Sequence, residues 1–315
     1  MDDLMHEAAS TVIDQCLAVD ENENLVIVTD DGCETIGQSL YSYARGRDGE
    51  TTLVHAERTG GHGNEPGDIV REALVAADVF VVPTMDSYTH TDARMAATAA
   101  GARGATMPSI SEEVYTTSLL ADYERIEERS QALFDHLEPG MEIRVTSPSG
   151  TDMTLDVWME TWVQDTGIIH EPGGSGNLPA GEIFGAPRNA SGTIVIDSFE
   201  LAGEQYAPPG TVVEIEDSHV TSVSNDCRLK EGVNEIENAD RLAELGIGTN
   251  DTATLIGNML QDEKVMGTVH FAFGKNAAFG GNTESPVHWD TVIEDPSIYF
   301  GEKPIMENGE FVIEV

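Results

Sequence analysis

The chain has 315 residues, with 57 Asp and Glu against 16 Lys and Arg, a formal net charge of −41. A surface this acidic is repelled by phosphate backbones and anionic lipid, so neither nucleic acid nor a membrane is expected as a partner. The 40% hydrophobic content supports a real core, in one large domain or two ordinary ones.

The acids are dispersed along the whole length, and the chain has four lysines, Lys230, Lys264, Lys275 and Lys303. That pattern looks like the cytosol of a salt-accumulating halophile. At molar salt the Debye length falls to roughly 3 Å and self-repulsion is screened. Cys16, Cys33 and Cys227 are odd in number and widely spaced, with no CxxC, and read as reduced thiols. The N-terminus lacks a basic region and an apolar leader, and no apolar run approaches membrane-spanning length. A cytoplasmic protein is expected.

In chain order, residues 3–19 carry apolar positions at helical spacing and residues 24–29 form a continuous apolar strand. A helix over 34–45, a strand over 51–56, a Gly-rich loop over 60–67 and a helix over 69–76 follow. Residues 79–83 are a third strand, 91–102 an Ala-rich helix, 104–108 a short fourth strand, and 114–137 a closing helix. Apolar strands alternating with helices predict a doubly wound parallel sheet. The first strand is not followed by G-x-G-x-x-G, nor is there a Walker loop, so no dinucleotide site is expected. His90 and Arg94, in S-Y-T-H-T-D-A-R, follow the carboxyl end of a strand, where such sheets place their ligands. They would reach a substrate there, or else cap a helix and pair with a surface acid.

From residue 138 the pattern changes to mostly β, so the chain divides into an α/β domain, 1–137, and a mixed α+β domain, 138–315. Strands are expected at 142–146, 153–157, 193–198 and 211–216, helices at 238–245 and 251–262, and a terminal hairpin from 297. Residues 269–273 read as a buried strand carrying His270. His288 and Asp290 follow as H-x-D, and residues i and i+2 of a strand share a face. Two imidazoles and a carboxylate converging on one point suit a metal ion, although a satisfied core histidine beside a charged edge fits the same spacing. Glu182, after a Gly/Pro-rich loop, and Glu244, before G-I-G, sit among small apolar residues. A buried carboxylate needs a cation. His170, ahead of the Glu182 loop, reads as a substrate contact or a structural residue. Glu263 beside Lys264 reads as a general base or an exposed ion pair.

The pieces N-L-P-A-G-E (177–182), A-E-L-G-I-G (243–248), G-T-V-H-F-A-F-G (267–274) and S-P-V-H-W-D (285–290) resemble the thermophilic metalloaminopeptidases of the aminopeptidase T and leucyl aminopeptidase type, in a haloarchaeal-like member. The resemblance implies a homodimer and two divalent ions (Zn, Co or Mn) held by Glu182, Glu244, His270, His288 and Asp290. It implies a hydrolase that releases N-terminal residues from peptides through a metal-bound hydroxide. The catalytic residues themselves stay unassigned. The sequence departs from the family in one place: F-A-F-G-K-N-A-A-F has no metal-proximal Tyr. The same resemblance extends to a sister group, ring-cleaving dioxygenases acting on dihydroxypyridines, and there implies a single Fe(II) on His270, His288 and Asp290. The expectation taken forward is the aminopeptidase, with the dioxygenase or a non-peptidase metal-binding homologue as the alternatives.

Overall fold

The computed structural model describes residues 2–201 and 204–315. The chain is α/β, and the fold divides into two units, each built from two segments. The first is 1–124 with 167–180; the second is 125–166 with 181–315. The sequence reading placed a single boundary near residue 138.

The first unit is a five-stranded, wholly parallel sheet in the order Thr51–His55, Leu25–Thr29, Val79–Thr84, Arg103–Pro108, Ser175–Asn177. The inner strands Leu25–Thr29 and Val79–Thr84 are buried along their whole length, as apolar runs covered on both faces must be. Val26, Val28, Phe80 and Val82 pack under the helices Asp68–Ala76 and Asp92–Ala99 through Val70, Leu74, Ala93 and Ala97. The fifth strand, S-G-N, has no β-propensity of its own and is held by backbone pairing to Gly104–Thr106. The single helix expected over 114–137 is instead a short helix, Glu112–Tyr115, a 3-10 turn and the helix Tyr123–Phe134.

Among the described residues the second unit has an eight-stranded and a five-stranded antiparallel sheet, whose apolar faces share one core, and a small two-stranded ribbon, Glu200–Leu201 with Glu204–Gln205. The five-stranded sheet runs His288–Ile293, Val269–Gly274, Leu242–Gly248, Glu182–Gly185, Val163–Asp165. One of its faces gives Ile183, Leu245, Ile247, Val269, Phe271 and Phe273 to the core. The helix expected over 238–245 is mostly the strand Leu242–Gly248, and that expected over 251–262 is only Met259–Asp262. Gly257, at φ +77°, turns the chain out of helical geometry just before that last turn.

Among the described residues no helix is long and apolar enough to cross a membrane. Acidic side chains crowd the surface; Glu127, Glu128 and Asp135 line one open depression of the second unit. Raising KCl from about 0.1 M to about 2 M shortens the screening length from roughly 10 Å to under 3 Å. The midpoint of thermal unfolding, followed by calorimetry, should therefore rise steadily over that range. A flat profile would mean that the charge of −41 is not a destabilising load.

Candidate metal centre

The site is the second face of the five-stranded sheet. Residues directly opposite one another on antiparallel strands point to the same side. His288 pairs with Gly274, Asp290 with Ala272, Glu244 with Ala272 and His270 with Gly246. Glu182 continues the same row, opposite Gly248 on one side and Asp165 on the other. Four strands thus place His288, Asp290, His270, Glu244 and Glu182 on one side, separated by Gly and Ala.

Glu244 reaches that side through a bulge. Leu242 pairs with Phe273 and Glu244 with Ala272, so the register slips at Ala243. In regular alternation Leu242 and Glu244 would share a face. The extra residue sends Leu242 to the core and Glu244 to the site, the re-aiming that bulges characteristically perform. Asn276 pins the bulge, its Nδ2 donating to the Ala243 carbonyl at 3.1 Å while its Oδ1 accepts from the Thr283 amide at 2.8 Å. The loop between the His270 and His288 strands is therefore tied to the strand that carries Glu244.

Gly246 makes the floor. A Cβ there would stand 1.9 Å from His270 Cε1 and 2.2 Å from Nε2, so the imidazole lies flat on a backbone that only Gly provides. Both rings are oriented by main-chain carbonyls. His270 Nδ1–H donates to Glu263 O at 3.2 Å, and His288 Nδ1–H donates to Lys275 O at 2.6 Å. Each Nε2 is left facing inward, the arrangement that orients metal-binding histidines.

The inward atoms form two sets of three donors that share Glu244: Glu182, Glu244 and His270, and Glu244, His288 and Asp290. His270 Nε2 lies 3.1 Å from Glu244 Oε1 and 3.3 Å from Glu182 Oε2, and His288 Nε2 lies 3.4 Å from Glu244 Oε2 and 3.3 Å from Asp290 Oδ1. Donors bonded at about 2.1 Å to one cation stand about 3.0 to 3.4 Å apart, as neighbours in an octahedron or tetrahedron do. Glu182 Oε2 and Asp290 Oδ1 are buried without a hydrogen-bond partner. Orphaned acceptors of this kind call for an ion. A divalent metal fits this donor set.

Charge on this face is dense and dry. Burial pushes the Glu182 and Asp165 carboxyls up to about 7, with the Lys264 ammonium opposing it. Burial works against the Asp290 carboxylate too, but the His288 imidazole beside it brings it down to about 2. Burial likewise disfavours charge on both imidazoles, yet the carboxylates outweigh it. Glu182 and Glu244 lift His270 to about 9, and Asp290 and Glu244 lift His288 to about 10. Lys264 is the residue that sequence reasoning misjudged, because its neighbour Glu263 suggested an exposed ion pair. It is 3% exposed, its ammonium bound by Glu182 and by Glu263 at 2.6 Å.

The other expected contacts belong to the first unit. Arg94 is a structural tie, donating to the Thr89 carbonyl at 2.8 Å and to Ser175 Oγ at 3.1 Å. His170 meets the Gln15 carbonyl at 2.9 Å, and His90 is an exposed residue just before the Asp92 helix. None of the three is among the clustered donors. A further trio, Asp31, Glu34 and His55, lies exposed in the same unit, where water covers the charge.

The sequence matches the profile of the 2,5-dihydroxypyridine 5,6-dioxygenases (NicX) over residues 19–313. The chain belongs to that family. It is 24% identical over 194 residues to the 2,5-dihydroxypyridine 5,6-dioxygenase of Pseudomonas putida, a stretch covering 56% of this chain and 55% of that relative. The structure of the Pseudomonas putida KT2440 dioxygenase superposes with a TM-score of 0.81 at 19% identity, covering 100% of this chain and 98% of that one. AmpT from Thermus thermophilus superposes with a TM-score of 0.71 at 15% identity, over 99% of each chain.

The aminopeptidase expectation is thereby corrected. The profile and the curated relative name a dioxygenase, and the likeness to AmpT is one of fold. Hydrolase, metalloprotease and peptide substrate fall with it. The pieces that suggested a peptidase are the turns and strands that build this sheet, and a reaction is not written in them.

Two predictions follow from the geometry. Gly246→Ala should push the His270 ring off its floor and weaken metal binding by about 10- to 100-fold with the fold intact; equal affinity by calorimetry would show that His270 binds nothing. The raised imidazoles set the pH dependence. Below about pH 6.5 their protonation adds its full share to the stability of the metal-free protein, and that share is lost as pH rises through 9 and 10. Metal requires them neutral, so affinity should climb with pH, and binding at pH 8 should release about two protons. Calorimetry in two buffers of different ionisation enthalpy measures that number.

Proposed function

We propose that this chain is a ring-cleaving dioxygenase acting on a dihydroxylated pyridine, with one ferrous ion held by His270, His288 and Asp290. The observation that carries the reading is the pair of imidazoles with anchored Nδ1 and inward Nε2 on the same sheet face as the orphaned Asp290 carboxylate oxygen. Two histidines and one carboxylate are the ligand set of non-haem Fe(II) oxygenases. A ferrous ion so held would supply the one-electron chemistry that a reaction between ground-state O₂ and an electron-rich ring requires.

The chain's own residues do the rest. Glu244 lies between the two imidazoles and is 4% exposed, so it is placed to accept the proton of a ring hydroxyl. His288, with its side chain 34% exposed, marks the open side of the centre. That side carries an aromatic wall. Phe279 meets His288 edge-on at 6.2 Å and Phe184 edge-on at 5.2 Å, and Phe184 stands opposite Gly246 on the site face. Half-buried rings suit a flat aromatic substrate and limit water near the metal. The Phe residues that stand where a peptidase would carry its Tyr cannot ligate or donate a hydrogen bond, which agrees with this reading.

Both atoms of O₂ enter the product of such a cleavage, so no external reductant is consumed. Protein loaded anaerobically with Fe(II) in molar KCl should consume about one O₂ per 2,5-dihydroxypyridine, seen at an oxygen electrode with loss of the ring's ultraviolet band. His288→Ala and Asp290→Ala should each lower bound iron and reduce turnover by at least about 10³-fold, the scale of losing an electrostatic centre. Full iron content in either variant would remove that residue from the ligand set.

A further inference from the structure

Three of the four lysines are solvent-accessible, near Asp226, Glu284 and His136. The fourth, Lys264, is 3% exposed beside a candidate metal ligand. Its Nζ binds Glu182 Oε1 and Glu263 Oε1 and lies 3.7 Å from Asp165 Oδ2. The backbone around it is fixed as well: the Lys264 carbonyl accepts from the Asn250 amide at 3.0 Å, and its amide donates to the Gln261 carbonyl at 2.9 Å. A single positive charge enclosed by three carboxylates has the surroundings of a bound cation.

We propose that the Lys264 ammonium stands in for a second divalent ion and so holds this centre at one metal. The inference deepens the one-iron reading above and rests on it. Of the two donor sets, the one made by Glu182, Glu244 and His270 has its Glu182 already bound to the ammonium. A divalent ion in that set would share Glu182 with a fixed positive charge that cannot swing away, because the lysine is buried and both flanking carboxylates bind it. The remaining donors, His270, His288 and Asp290, have no lysine bound to them among the described residues and stay with the one metal. Without the ammonium, the buried Glu182 and the half-buried Asp165 and Glu263 lose the cation they share. That is a new divalent site.

The test is a metal count on the full chain, saturated with Mn(II) in molar KCl and freed of loose ion, combined with electron paramagnetic resonance. Wild-type protein should bind one Mn(II) per chain and give an uncoupled six-line spectrum at every loading. Lys264→Met should double the bound metal and give the broadened spectrum of a coupled pair, and Lys264→Arg should keep the count at one. Two metals in the wild type, or one or none in a folded Lys264→Met, would overturn the proposal. The wild-type count decides against it even where Lys264→Met does not fold. A single metal in the wild type without oxygen uptake on the ring substrate would sink the dioxygenase reading and leave the metal count standing.

Discussion

Charge held out of water on one sheet face is the constraint from which the second unit is built. Asp165, Glu182, Glu244, Asp290 and His270 lie there together, four of the five below 10% exposure. Isolated, each carboxylate would cost several kcal/mol to bury. The sheet supplies compensation in layers: carbonyls fix the imidazoles, the imidazoles face the carboxylates, and Lys264 takes Glu182. The opposite face makes this affordable, because Ile183, Leu245, Ile247, Phe271 and Phe273 anchor the same strands in the shared core. A strand with its odd residues in a core and its even residues around a cation site cannot slip by one without losing both.

Small residues are as much a part of that construction as the charged ones. Gly246, Gly248, Ala272 and Gly274 fill the row between the donors, so rings and carboxylates can lie across the sheet instead of standing off it. The bulge at Ala243 then lets Leu242 turn to the core while Glu244 stays on the site face with Gly246 and Gly248. Asn276 closes this arrangement from the loop side, so that the turn joining the two histidine strands is held to the strand between them and the Glu182 strand.

How much of this was legible in sequence depended on range. The H-x-D pair and His270 were readable because strand parity is local: two residues on, same face. The first four parallel strands were readable because each is an apolar run between helices. Glu244 was placed on a helix, since R-L-A-E-L spaces its apolar residues helically, and only pairing with Phe271 and Phe273 across the sheet makes it a strand. The strand Ser175–Asn177 was invisible because its stability lies wholly in its partner. Lys264 was misread for the same reason. Its neighbour in sequence is Glu263, but Glu182 and Asp165 come from strands 82 and 99 residues away.

In a chain with 57 acids, an Asp or Glu says almost nothing about function, and no motif of acids should be trusted alone. Burial is what separates the few that matter, and burial is a property of the sheet. This also explains why the sequence pointed first to a peptidase. AmpT and the Pseudomonas putida dioxygenase both superpose on this fold, so a likeness that lies in the scaffold does not choose a reaction. Here a lysine stands against Glu182, and phenylalanine stands over His288. Both features lie beside the clustered donors, and both depend on residues far apart in sequence that the sheet brings together.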